Sequence, residues 1–274
     1  TLAGGGSASF TYQWQSSTNQ STWTNVGTGT SYSPSNLTLT TYYQVIATDG
    51  GIPACGSITS NMLTITVGEP LTAPVIGNAQ TICYNTSPAQ LTVQSLAEGG
   101  SGSFTYTWQS SSTGSSPWTS TGHTGTGYTP DPLTSALYYR VIAQDNIIPV
   151  CGSIVSNKIL ITVQSPVVAG TISGDQTICY GAPATITSAS DGSSGQGAGI
   201  TYEWQKQILQ TGAVSTIAGE TGAGLTLASV TVDTKFHRRT VSTLNGVPCT
   251  SNWTNEVTVN IEDELPSISC PGNI

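Results

Sequence analysis

Charge is what this 274-residue sequence has least of. Lys and Arg together number 6 and charged residues make up 7% of the chain, against roughly 25% in ordinary soluble domains. Helix surfaces draw on Lys, Arg and Glu, so the scarcity argues against an α-rich fold. The 14 acidic residues leave a net charge of −8, without the basic footprint that nucleic acid binding needs. Long apolar runs are missing as well. None approaches the roughly 18 residues of a membrane helix, so no membrane insertion is expected. Imidazole is scarce, with only His123 and His237. No G-x-S-x-G, H-E-x-x-H, P-loop or Rossmann fingerprint occurs. No catalytic residue, no cofactor and no enzyme activity are therefore expected. No signal peptide is present in the sequence, and its abrupt start at Thr1 reads as an excised piece of a longer chain.

Thr, Ser, Gly, Val and Tyr take the place of charge, and they suit strands and tight turns. They are arranged in a repeat. Phe10-Thr-Tyr-Gln-Trp14-Gln returns as Phe104-Thr-Tyr-Thr-Trp108-Gln and Ile200-Thr-Tyr-Glu-Trp204-Gln, with the Trp residues 94 and 96 apart. Thr81-Ile-Cys83-Tyr returns as Thr177-Ile-Cys179-Tyr. Tyr42-Tyr43-Gln-Val-Ile-Ala to Cys55 and Asn61 returns as Tyr138-Tyr139-Arg-Val-Ile-Ala to Cys151 and Asn157. In a third copy it runs from Phe236-His237-Arg-Arg to Cys249 and Asn255. The expected domains are repeat 1 at 1–68, repeat 2 at 69–164, repeat 3 at 165–262, and the start of a further copy at 263–274. Repeat 1 reads as N-terminally truncated, because its Thr-Ile-Cys segment would precede Thr1.

Each copy is close to the roughly 100 residues of an immunoglobulin fold. The predicted fold is all-β, a series of tandem immunoglobulin-like β-sandwiches arranged as an extended rod. In Phe10-Thr-Tyr12-Gln-Trp14 the aromatics occupy alternate positions and share one face, resembling strand C with its Trp anchor. Tyr43-Gln-Val45 and Tyr139-Arg-Val141 resemble strand F, and this alignment sets His237 and Arg239 at the matching positions of repeat 3. Leu63–Val67, Ile159–Val163 and Val257–Ile261 close the copies as strand G.

Six cysteines in such a Ser/Thr-rich chain suggest an oxidising compartment. The period suggests pairing Cys83 with Cys151 and Cys179 with Cys249, leaving Cys55 and Cys270 without partners. A zinc site is the alternative, but it has no C-x-x-C pair and few histidines to draw on.

The string Ala169-Gly-Thr-Ile-Ser-Gly-Asp-Gln-Thr-Ile-Cys179-Tyr-Gly-Ala-Pro, followed by Tyr202-Glu-Trp204-Gln and Ser242-Thr-Leu-Asn-Gly-Val-Pro-Cys249, carries a family resemblance. It resembles the immunoglobulin-like (PKD-like) repeats of very large Bacteroidota surface proteins, including gliding-motility adhesins exported by type IX secretion. The resemblance implies a cell-surface or secreted adhesin or stalk and names no ligand.

Two surfaces are candidates for binding. Trp23 and Trp118 follow the strand C Trp by 9 and 10 residues, and Tyr32 and Tyr128 are near them in sequence. Together they form a candidate aromatic platform for surface glycans, with an edge aromatic packing over the core as the plainer reading. Glu262, Asp263 and Glu264 offer hard oxygen ligands for Ca²⁺ at the third junction. The other junctions lack that set, which favours an exposed acidic run. Short Pro-bearing junctions (Glu69-Pro70, Gln164-Ser-Pro166, Leu265-Pro266) act as semi-rigid spacers. The expected partners are neighbouring repeats, then surface glycans or other cell-surface proteins. Rival readings are a carbohydrate-binding module, an accessory region of a secreted hydrolase, and a filament subunit.

Overall fold

The computed structural model describes residues 2–51, 55–147, 151–194 and 199–262, and every regular element among them is a β-strand. Repeat 2 builds strands A (Val75–Gly77), A′ (Gln80–Ile82), B (Leu91–Ser95), C (Phe104–Ser111), C′ (Thr119–Thr124), E (Gly127–Tyr128) and F (Leu137–Asp145). Strand G comes in two pieces, Ser153–Val155 and Ile159–Val163. One sheet has the order C′-C-F-G-A′ and the other E-B-A, which is an immunoglobulin-like sandwich. Repeat 3 repeats the plan. Its strands are A (Thr171–Ser173), A′ (Gln176–Cys179), B (Ala184–Ser190), C (Gly199–Ile208), C′ (Val214–Ile217), E (Leu225–Leu227), F (Thr234–Leu244) and G (Val247–Thr250, Val257–Glu262). Repeat 1 has strands C (Phe10–Ser17), C′ (Thr24–Thr28), F (Thr41–Asp49) and G (Ser57–Thr59, Leu63–Ile65) in one sheet. Among the described residues no second sheet covers it.

Alternation decides which side chains meet. Trp204, fully buried, packs with Ile172, Ala184, Ile186, Leu225, Phe236, Val257 and Val259 from both sheets of repeat 3. Each of the Ile, Leu, Phe and Val side chains among them contributes about 1.5–3 kcal/mol on burial. In every repeat the strand C indole N–H donates to a backbone carbonyl 3.0 Å away, at Gly29, Gly125 or Gly222. The strand crossing from sheet to sheet is turned by a positive-φ residue. Gly174 has φ +126°, and a Cβ there would stand 2.9 Å from the Thr185 carbonyl.

The recurring Asn in the break of strand G ties the sheets together. Asn157 accepts the Ile76 N–H at 2.8 Å and donates to the Ile76 carbonyl at 3.0 Å. Asn255 does the same to Ile172. A side-chain amide thus supplies both halves of a backbone pairing to strand A.

Strand F of repeat 3 corrects the sequence alignment. Trp14 stands opposite Val45 and Trp204 opposite Arg238, so Phe236 and Arg238, not His237 and Arg239, hold the core positions of Tyr43 and Val45. His237 and Arg239 face outward. The core aromatic is 12 residues before Cys55 and 13 before Cys249. Aligning the cysteines therefore slips the strand by one residue, which flips every side chain. Repeat 3 turns from F to G at Asn245-Gly246, both at positive φ, a two-residue hairpin loop.

The chain divides into two compact units, one of residues 1–75, 95–106 and 142–156 and the other of residues 76–94, 107–141 and 157–274.

Candidate functional site

The junction of repeats 2 and 3 is covalent. Cys83 is bonded to Cys249, so the expected pairs Cys83–Cys151 and Cys179–Cys249 do not form. Strand geometry is the reason. A′ runs parallel to G, with Ile82 opposite Val163 and Ile178 opposite Ile261. This sets Cys83 at the far end of G, while Cys151 stands at its start. About a dozen strand residues at roughly 3.3 Å each separate them, far beyond the about 7 Å limit for a disulfide. The far end of one repeat instead meets the F–G hairpin of the next. Cys179 is also disulfide-bonded, Cys55 and Cys151 are exposed free thiols, and Cys270 is outside the described residues.

Polar contacts close the same junction. Gln164, next after Val163, is 1% exposed. Its amide donates to the Val247 carbonyl at 2.7 Å and accepts from Ser242 Oγ at 3.3 Å. Its backbone N–H donates to the Ile82 carbonyl. Asn245 of the hairpin donates to Thr81 Oγ1 at 3.0 Å. Beside the disulfide is a recess of about 200 Å³ lined by Tyr84, Ser165-Pro166-Val167 and Thr250-Ser251-Asn252.

A second recurring feature is an aspartate hub in repeats 1 and 2. Gly5-Gly6-Ser7-Ala-Ser-Phe and Gly99-Gly100-Ser101-Gly-Ser-Phe precede strand C. Ser7 Oγ donates to Asp49 and Ser101 Oγ to Asp145. Backbone N–H groups of Gly51 and Cys55 also reach Asp49, and those of Ser101 and Cys151 reach Asp145. The Ser7 hydroxyl and then the Gly51 and Cys55 amides hold Asp49 well below the carboxylate range. The Ser101 hydroxyl, against some desolvation, holds Asp145 at about 2. Gly100 has φ +53°, and a Cβ there would stand 2.6 Å from the Asp145 carboxylate.

The four platform aromatics separate into two roles. Tyr32 packs on Trp14 and Tyr43, and Tyr128 on Trp108 and Tyr139. Both edge the core. Trp118 is half-buried under Arg140, whose guanidinium is 4.2 Å from the ring centre. Arg140 also donates to Gln109 at 2.9 Å. Trp23 is half-buried ahead of C′. His123 is exposed, its ring 4.6 Å from Tyr128.

Repeat 3 fills the Trp118 position by another route. His237, outward on F like Arg140, stacks on Trp253 with centroids 4.4 Å apart. Arg239 adds a guanidinium 4.8 Å above that Trp and pairs with Glu203 at 2.7 Å. Burial holds the His237 imidazole below its ordinary value, against the opposite pull of Glu256. Sequence alignment missed Trp253 because it belongs to a different loop. Glu262 is exposed at the end of G, and Asp263 and Glu264 are outside the described residues.

The family model described as Domain of unknown function (DUF8696) matches residues 1–69, 72–165 and 168–263. The chain belongs to this family. No curated protein matches it. Among solved structures it is similar to the three N-terminal domains of the Highly Immunogenic Outer Capsid protein (Hoc) of bacteriophage RB49. That match has 14% identity and TM-score 0.47, covering 96% of this chain and 92% of the other. A three-domain stretch of titin is similar at 14% identity and TM-score 0.41, covering 91% and 88%. The chicken CNTN1 FN1-FN3 domains are similar at 13% identity and TM-score 0.36, covering 91% and 89%.

One member of this DUF8696 array has an ionic core. Arg238 is fully buried where repeats 1 and 2 hold Val45 and Val141. Its guanidinium donates to the carbonyls of Ala223, Ser190 (3.1 Å) and Ala169 (3.5 Å). It also lies 4.2 Å from the Tyr202 ring centre. Among the described residues its Nε has no hydrogen-bond partner.

Proposed function

We propose that this chain is a non-catalytic stretch of an extracellular or cell-surface stalk, a rod of sandwiches that projects or carries adhesive contacts in the manner of a bacterial surface adhesin. The observation that carries this reading is the Cys83–Cys249 bond between consecutive repeats. A disulfide needs an oxidising compartment, and one that joins repeats stiffens the junction itself. Tension applied to the ends passes through the bond and leaves 166 residues of chain unstretched. Single-molecule pulling tests it. Reductant should add at least that loop to the fully extended length, roughly 550–600 Å at about 3.3–3.6 Å per residue. An extension unchanged by reductant would remove the mechanical reading.

A second reading rests on the outer C–F face, where Trp118 under Arg140 and Trp253 under His237 and Arg239 recur at matching positions. Such half-exposed rings suit weak glycan contacts that an array multiplies. Glycan-array binding lost in both Trp118→Ala and Trp253→Ala would support it, and undiminished binding would end it.

A further inference from the structure

Of the 6 Lys and Arg residues, Lys235 and Arg239 are in ion pairs and Arg238 is fully buried. Two of the others, Arg140 and Lys158, belong to the outer face of repeat 2, and among the described residues neither pairs with a carboxylate. Strands C, C′, F and G of that repeat include one acid, Asp145, and it is buried. The face is therefore cationic in a chain of net charge −8. Screening over about 8 Å at physiological salt lets it act apart from distant carboxylates. The same side-chain pair recurs across this face in every repeat. The strand C Gln presents Oε1 to the central outward side chain of F, at 3.0 Å from Gln44 in repeat 1, 2.9 Å from Arg140 in repeat 2 and 3.0 Å from His237 in repeat 3. Only in repeat 2 is that side chain a permanent cation. A guanidinium can only donate, so Arg140 Nε fixes the Gln109 oxygen toward itself and turns the amide N–H groups of Gln109 away. Trp118 lies half-buried beside them, its ring centre 4.2 Å from the guanidinium. The terminal nitrogens of Arg140 and the amide nitrogen of Gln109 thus present donors alone next to an aromatic ring. In repeat 3 the corresponding charge is answered from within, because Arg239 is 2.7 Å from Glu203.

We propose that the outer face of repeat 2 binds a carboxylate-bearing glycan, with a uronate carboxylate on Arg140 and Gln109 and the sugar ring against Trp118. This rests on the glycan reading of the outer C–F face and names its ligand class. Planar guanidinium donors match a carboxylate. The ring holds the guanidinium in place before a ligand arrives, which lowers the ordering cost of binding. Burial pushes the Arg140 guanidinium down, the direction expected of a half-dehydrated cation with no carboxylate beside it. Lys158 adds a second charge, its ammonium 5.5 Å from the ring centre of Tyr138, which shares the outward side of F with Arg140 two residues on. The hydroxyls of strand C′, Thr-Ser-Thr-Gly-His-Thr, suit a hydroxylated anion better than an acidic peptide.

The test is a titration of the whole chain with a galacturonate trisaccharide and with its uncharged methyl ester, followed by NMR at the indole N–H resonances. Trp118→Phe assigns the Trp118 signal. The uronate should shift the Trp118 indole, and the methyl ester should bind roughly tenfold more weakly, the loss expected when a charge-assisted hydrogen bond goes. Arg140→Gln restores the neutral pair that repeat 1 already folds with, Gln44 on Gln15, so the other indole signals should stay in place while the advantage of the uronate disappears. The Trp253 indole should not respond, because Arg239 is already paired. Equal affinities for the uronate and its ester would overturn the proposal and leave the glycan reading standing, whereas no response to either sugar at any indole would end both. An uronate advantage that survives Arg140→Gln, or an equal response at Trp253, would also overturn it. So would polyglutamate binding as tightly as the uronate, which would make an acidic peptide the occupant.

Discussion

Repeats 1 and 2 spell strand C almost identically, Phe-Thr-Tyr-Gln-Trp-Gln-Ser-Ser against Phe-Thr-Tyr-Thr-Trp-Gln-Ser-Ser, yet Trp108 is fully buried and Trp14 only half-buried. The local pattern chooses the face, and the indole hydrogen bond is the same in both. What differs is the second sheet, present in repeat 2 and absent from the described part of repeat 1. Alternation in a strand therefore specifies which side chains point inward, while burial depends on partners far away in sequence.

The largest effect should come from breaking that contrast directly. Trp108→Ala should cost about 3–5 kcal/mol, and Trp14→Ala clearly less, in denaturant unfolding followed separately for each repeat. Equal losses would mean that repeat 1 is covered as well as repeat 2.

The next contrast is between junctions. A Cys83→Ser/Cys249→Ser chain should lose about 2–4 kcal/mol and become open to proteolysis at 165–170. Cys151→Ser should change neither stability nor cleavage, because that thiol is unbonded in this chain.

Much of the architecture was legible in the residues. The repeat set the strand order, and Phe10-Thr-Tyr12-Gln-Trp14 showed its buried face. The disulfide was not legible, because parallel pairing of A′ with G depends on which ends of the sheet lie together, and a cysteine spacing carries no strand direction. Arg238 was missed for a related reason. Matching cysteines hid the extra hairpin residue before Cys249, and a one-residue slip turned the buried Arg outward on paper. The Asp49 and Asp145 hubs left a trace in the recurring Gly-Gly-Ser before strand C, but the carboxylate they meet is over 40 residues away.

A smaller effect separates the two kinds of core. Arg238→Met should cost about 1–3 kcal/mol, since the Ala169, Ser190 and Ala223 carbonyls lose their donors. Val141→Met, in repeat 2 where that core position is apolar, should disturb only packing. A stabilised Arg238→Met chain would show that desolvation of the guanidinium outweighs its bonds.

The smallest effect is a pH slope. Asp145 is held at about 2 in the fold, below its unfolded value near 3.9. Its contribution is present above that unfolded value and is lost as pH falls through about 2. Asp145→Asn should flatten the acid limb of stability between about pH 4 and pH 2, while leaving the neutral-pH fold intact by circular dichroism. In repeat 3, where Ser242 takes the hub position, Ser242→Ala should leave that limb unchanged.

Disulfide mapping by mass spectrometry under non-reducing conditions, after cleavage with trypsin and a Glu-specific protease, tests the covalent junction most directly. The account predicts a linked pair of peptides containing Cys83 and Cys249, with Cys151 recovered as a thiol. Linked peptides joining Cys83 to Cys151 and Cys179 to Cys249 would contradict it, and would place each bond inside a single repeat.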